Sequence, residues 1–131
     1  MSLVVDASTV VAALVEAGHH GQWAVAQMKA ERLAAPHLLH AEVANVLRRS
    51  ELAGDISGDV SRLAYSDLLD LAVDLYPFEP FAERVWELRR SVTAYDACYV
   101  ALAESIDASL ATLDDRLAAA PGPECGFEIP A

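Results

Sequence analysis

The stretch Leu3-Val4-Val5-Asp6-Ala7-Ser8-Thr9-Val10-Val11 decides how the chain is read. Leu3 to Val5 is a short apolar run of the kind a buried parallel strand uses, and Asp6 stops it. A helix follows at once. Ser8 or Thr9 is the expected cap, Val10, Val11, Leu14 and Val15 share one apolar face, and the helix ends near Gly18. His19 and His20 read as a solvated loop.

The same alternation continues downstream. Trp23 through Ala30 predicts a second helix, Leu33 to Ala35 a strand, and Pro36 the break before a long helix ending at Gly54. Leu39, Val43, Val46 and Leu47 form that helix's buried stripe. Ser57 to Asp70 is helical, with Leu63, Leu68 and Leu69 as its inner residues, and Ala72 to Tyr76 is a third strand ahead of Pro77. Phe81, Val85, Trp86 and Leu88 mark a further helix. Thr93 opens another, which carries Tyr95, Tyr99, Val100 and Leu102. Ser109 to Leu113 is a fourth strand, Asp114 starts a short helix, and Phe127 to Ile129 forms an edge strand closed by Pro130. Strands alternating with helices imply an α/β chain: a three-layer α/β/α sandwich around a short, mainly parallel sheet.

Composition agrees with one domain over residues 1–131. With 131 residues, 54% hydrophobic and 22% charged, the chain can bury a sizeable core, which excludes disordered, collagen-like and low-complexity classes. No internal repeat is present. Nine Lys and Arg against 20 Asp and Glu give a formal charge of -11, so nothing global attracts nucleic acid and a polyanionic substrate needs local help. No apolar run approaches the roughly 20 residues that span a bilayer, and Asp6 interrupts any signal-peptide core, so a cytoplasmic protein without a membrane segment is expected. Cys98 and Cys125 read as reduced thiols, Cys98 as packing.

In such a sheet, ligands bind beyond the carboxyl ends of the strands, and acids gather there. Asp6 ends the first strand and Asp114 the fourth. Glu42 lies on the edge of the apolar stripe of the long helix, where a carboxylate needs a partner or a metal. Asn45 and Arg49 share its face, at three and seven residues on, so Asn45 is placed to orient Glu42 and Arg49 to pair with it. Thr93-Ala94-Tyr95-Asp96 matches a capping box, and a helix start also favours negative charge. Singly, each acid has an ordinary reading as a cap, turn or surface ion pair. If the first and fourth strands are neighbours the acids are expected to converge, and clustered carboxylates persist at neutral pH only when cations neutralise them. All-oxygen ligation selects Mg2+ or Mn2+ over zinc. His37 and His40, three apart at a helix start, make a weaker case for a transition metal.

At these residues the chain resembles the PIN-domain ribonucleases, and within them the VapC-type toxins of toxin-antitoxin pairs. The resemblance rests on Val4-Val5-Asp6-Ala7-Ser8, on Ala41-Glu42-Val43-Ala44-Asn45-Val46-Leu47-Arg48-Arg49, on Thr93-Ala94-Tyr95-Asp96-Ala97 with Tyr99-Val100-Ala101-Leu102-Ala103-Glu104, and on Ala111-Thr112-Leu113-Asp114. It implies an acidic quartet of Asp6, Glu42, Asp96 and Asp114, with Ser8, Asn45 and Thr112 in support. It also implies Mg2+ or Mn2+ dependence, a homodimer and a cognate antitoxin that blocks the site. One departure stands out: members commonly carry a basic residue after the fourth acid, where this chain has Asp115. Either Asp114 or Asp115 therefore approaches the metal.

The function expected on this basis is endonucleolytic cleavage of single-stranded or looped RNA. Asp6, Asp96 and Asp114 hold metal, Glu42 completes the pocket, and a metal-activated water attacks the phosphodiester. Arg48 and Arg49, with Arg89, Arg90 and Lys29 behind them, are the candidate RNA contacts. Two rival readings compete. A phospho-accepting or phosphatase-like domain using Asp6 wants a second acid where Ser8 stands, or a late lysine where the chain has only Lys29. A non-catalytic dimeric binding module would use the acids as helix caps and to bind a basic peptide.

Overall fold

Val4 and Val5 are fully shielded from solvent, and they sit at the centre of the molecule. A computed structural model describes residues 1–30 and 32–131. Its first strand, β1 (Ser2–Val5), lies between β2 (Arg32–Pro36) and β4 (Ser109–Ala111). The remaining strands, β3 (Asp74–Tyr76) and β5 (Phe127–Glu128), form the two edges. The strand order is β3-β2-β1-β4-β5, and every pairing is parallel. A strand between two neighbours and covered on both faces can be apolar throughout, as Leu3-Val4-Val5 is.

The helices are α1 (Ala7–Val15), α2 (His19–Gln27), α3 (Leu39–Leu52), α4 (Gly58–Leu69), α5 (Ala82–Glu87), α6 (Ala94–Ser105) and α7 (Asp115–Ala119). The chain steps outward from β1 to β2 to β3, then returns across the sheet to β4. Right-handed crossovers put α1 to α4 over one face and α5 and α6 over the other, which makes three layers. The contacts agree: α1 packs on α2, α3 and α4, and α6 packs on α5 and directly on β1, β2 and β4. Seven consecutive residues of α6, Ala97 to Ala103, are buried, as expected of a helix enclosed by the sheet and its neighbours.

Several boundaries differ from the sequence reading, each for a local reason. The cap of α1 is Asp6, not Ser8 or Thr9, because the Asp6 carboxylate accepts the Thr9 N–H. The second helix begins at His19 rather than Trp23, so both histidines stand in its first turn instead of a loop, still exposed. Gly21 permits this early start: a Cβ there would come within 1.8 Å of the Glu16 carbonyl oxygen, so only glycine lets α2 turn back so tightly on α1. In α4 the inner face is Ser61, Ala64 and Leu68, while Leu63 is 65% and Leu69 62% exposed. Trp86 is also on the outside, where Arg89 stacks over its ring at 4.7 Å. Val46 is only partly buried. The strand β3 is shorter than Ala72–Tyr76, and β4 stops at Ala111, leaving Thr112 and Leu113 as a two-residue lead to the α7 cap. Cys98 is buried and Cys125 half-buried, and both are free thiols. Among the described residues no helix is long and apolar enough to cross a membrane.

Candidate active site

The strand order reverses between β1 and β4, so the carboxyl ends of these two strands form the topological switch point of the sheet. Asp6 stands there, 6% exposed. A buried carboxylate needs donors, and the chain supplies three. Its Oδ1 accepts from the Ser8 hydroxyl at 2.6 Å and the Thr9 N–H at 3.0 Å, and its Oδ2 accepts from the Thr112 hydroxyl at 2.6 Å. Each hydroxyl also works in the other direction. Ser8 Oγ accepts the Leu113 N–H and Thr112 Oγ1 accepts the Asp114 N–H, both at 3.0 Å. Thr9 adds a third tie by donating its hydroxyl to the Ala111 carbonyl at 2.9 Å. Two relayed hydroxyls and one direct bond thus stitch the β1–α1 turn to the β4–α7 turn. This brace fixes Asp6 and Asp114 on a common rim although they lie far apart in the chain.

Asp114 caps α7, with Oδ1 accepting the Arg116 and Leu117 N–H groups at 2.9 and 3.2 Å. Asp115 follows in the first helical turn and is exposed. Asp114 is exposed as well, and the two adjacent acids differ in that Asp114 caps α7 and its charge acts on Asp96.

Asp96 lies in the first turn of α6, three residues after the Thr93 cap that accepts its N–H at 3.1 Å, as the capping pattern predicts. Burial pushes its carboxyl above the ordinary range. Asp114 and Asp6 add to that rise, and a hydrogen bond with the Thr93 side chain opposes it. Glu42, in the first turn of α3, is raised too, first by burial and then by Asp96 and Asp6. Tyr99 opposes that rise by donating its phenol to Glu42 Oε1 at 2.6 Å. The charges of Asp6 and Asp96 thus reach Glu42, and those of Asp6 and Asp114 reach Asp96.

Tyr99 is the residue the sequence reading missed. It is counted there among the apolar residues of α6, yet a tyrosine buried to 1% exposure must find a partner for its hydroxyl, and a carboxylate at the edge of an apolar stripe must find a donor. Asn45, expected in that role, is exposed and makes no hydrogen bond to Glu42 among the described residues. Arg49, the other expected partner of Glu42, is likewise exposed and forms no ion pair with it there. Arg48 and Arg49 both lie on the outer surface of α3.

Carboxylate oxygen is the donor chemistry of a hard divalent cation, and the two raised pKa values mark where positive charge is wanted. As the side chains stand, no group of three or more His, Cys, Asp or Glu among the described residues could by itself hold an ion. His37 and His40 form no such group with any neighbour. The donor type fits Mg2+ or Mn2+, and binding would have to draw the acids together against their repulsion.

A five-stranded parallel sheet with acids at its topological switch point defines an α/β protein with an acidic rim at the carboxyl ends of its strands. The PIN-domain profile matches residues 3–123. Ribonuclease VapC1 of Mycobacterium tuberculosis is 45% identical over 127 residues, covering 96% of each chain. Among solved structures, PAE2754 from Pyrobaculum aerophilum superposes with a TM-score of 0.72 at 26% identity, covering 97% of this chain and 83% of that one. VapBC-5 from Mycobacterium tuberculosis, a member of the VapBC family of toxin-antitoxin systems, shares the fold with a TM-score of 0.59 at 23% identity, over 98% and 96% of the two chains. The chain belongs to the PIN-domain family and, within it, to the VapC-type proteins.

Proposed function

We propose that residues 1–131 act as one PIN domain with Mg2+- or Mn2+-dependent endoribonuclease activity, the toxin of a toxin-antitoxin pair. One observation carries this reading: relayed Ser8 and Thr112 hydroxyls tie Asp6 at the end of β1 to the turn that holds Asp114, and the Asp6 charge acts on both Glu42 of α3 and Asp96 of α6. The identity to a named VapC ribonuclease over nearly the whole chain supports the substrate class.

Asp6, Asp96 and Asp114 are the residues that would hold the cation, which when bound acidifies water and neutralises phosphate charge. The Ser8 and Thr112 hydroxyls keep Asp6 in a single orientation. Glu42 has Oε1 held by Tyr99, and a pKa raised by burial and by the charges of Asp96 and Asp6 suits its other oxygen to accept a proton. Arg48 and Arg49 contact the RNA backbone from the outer surface of α3, and because the chain carries -11 overall, substrate affinity depends on the cation. A homodimer and a cognate antitoxin that covers the acidic rim complete the proposal.

The test is cleavage of total RNA with Mg2+ and with EDTA, the ends mapped by sequencing. Mg2+ restores cleavage that EDTA abolishes, and Asp96→Asn lowers it on the order of 100-fold or more while the fold persists. Full cleavage by that variant, or by the chelated protein, overturns the assignment.

A further inference from the structure

A cavity of about 300 Å³ opens at the carboxyl ends of β2 and β3, beside the acids rather than among them. Pro36, Leu38, Tyr76, Phe78, Phe81 and Cys98 form most of its wall, and His37 also lines it. Two connections tie it to the acidic rim. The Leu38 carbonyl accepts the Glu42 N–H at 3.0 Å, and the Cys98 thiol feels the Glu42 charge. The lining contains no carboxylate, which is notable in a chain with 20 Asp and Glu. Its aromatic wall is ordered: Tyr76 and Phe81 meet edge to face with centroids 6.4 Å apart, and the backbone N–H of His37 binds the Tyr76 carbonyl at 3.0 Å. Phe78, between Pro77 and the turn Glu79–Phe81, is 52% exposed and so has a ring available for stacking.

We propose that this cavity receives one unstacked base of the RNA strand, next to the phosphate held at the acidic rim, and so sets which bond is cut. The inference rests on the ribonuclease reading and deepens it. The volume lies at the lower end of the range of about 300–1,000 Å³ that ligand sites occupy, enough for a single base but not for a stacked pair. Aromatic faces stack on any base, which gives affinity, while the His37 imidazole and the Tyr76 phenol supply polar groups that can discriminate between base edges. A carboxylate-free wall also adds no repulsion of its own against a polyanion. Phe78 and His37 are thus specificity and positioning residues, separate from the acids.

The experiment uses the full chain with Mg2+ and a synthetic single-stranded RNA carrying one cleavage site mapped for the wild type. A matched RNA lacks the base beside the cut. Phe78→Ala should raise KM roughly 5- to 100-fold with kcat little changed, as expected for loss of a stacked base. The abasic RNA should lose as much with the wild type, and Phe78→Ala should then add nothing further. Phe78→Trp should restore KM, and His37→Ala should broaden the set of bases tolerated at that position. Equal KM values for Phe78→Ala and wild type, or an undiminished Phe78→Ala penalty on the abasic RNA, overturn the base pocket while leaving the nuclease standing. A wild type that cuts no RNA removes both.

Discussion

The acidic rim has two halves built on different terms. On the β1–β4 side, Asp6 is almost fully buried yet receives three hydrogen bonds, two of them from hydroxyls that are themselves held by backbone N–H groups. On the α3–α6 side, Glu42 and Asp96 are only half buried, Glu42 has a single phenol donor, and both carboxyls are raised by burial and by the neighbouring acids. A carboxylate supplied with donors can be a permanent part of the fold. One left with uncompensated burial and like charge stores a demand for positive charge, and this half of the rim is where a cation or a proton makes the larger difference.

The brace gives the largest expected effect on stability. Thr112→Val keeps the shape but takes the donor from Asp6 Oδ2 and the acceptor from the Asp114 N–H, which should cost about 2–3 kcal/mol in urea unfolding. A loss below about 0.5 kcal/mol would mean that the β1–β4 side is no better supported than the other.

Tyr99→Phe probes the opposite half and should cost about 1 kcal/mol, the net worth of one hydrogen bond to a half-buried carboxylate. Its clearer signature is in pH. In metal-free buffer the folded chain keeps protons on Glu42 and Asp96 at pH values where the unfolded chain has released them. Their contribution therefore favours folding at low pH and is lost as pH rises through the raised folded values. Tyr99→Phe removes the bond that lowers the Glu42 pKa, so the stability difference from wild type should widen toward high pH. Melts in EDTA from about pH 4 to about pH 8 check this. A difference that is flat across that range would show that the two groups are not coupled.

The smallest effect separates the adjacent acids. Asp115→Asn should leave both stability and cleavage nearly unchanged, within about 0.5 kcal/mol, whereas Asp114→Asn should lower cleavage sharply. The reverse order would move the fourth acid by one residue.

Much of this arrangement was legible before any coordinates. The runs at Leu3–Val5 and Ser109–Leu113, the break at Pro36 and the Thr93 cap give the alternation of elements and the parallel sheet, because period and capping are local properties. Helix faces were less legible. Leu63, Leu69 and Trp86 look like core residues from their chemistry, yet they lie outside because α4 turns Ser61, Ala64 and Leu68 inward and α5 turns Val85 inward.

The partners of the acids follow the same division. Ser8 and Thr112 stand beside Asp6 and Asp114 in the chain, so short-range pattern could nominate them. Tyr99 and Glu42 are 57 residues apart, and no local spacing links them. Residue order and polarity were enough to say that acids would gather at strand ends. Which hydroxyl reaches which carboxylate, and that Asp114 rather than Asp115 acts on Asp96, depends on the register of β1 against β4 and the lie of α6 across the sheet. Those are long-range packing outcomes, set by how the whole core closes rather than by any stretch of neighbours.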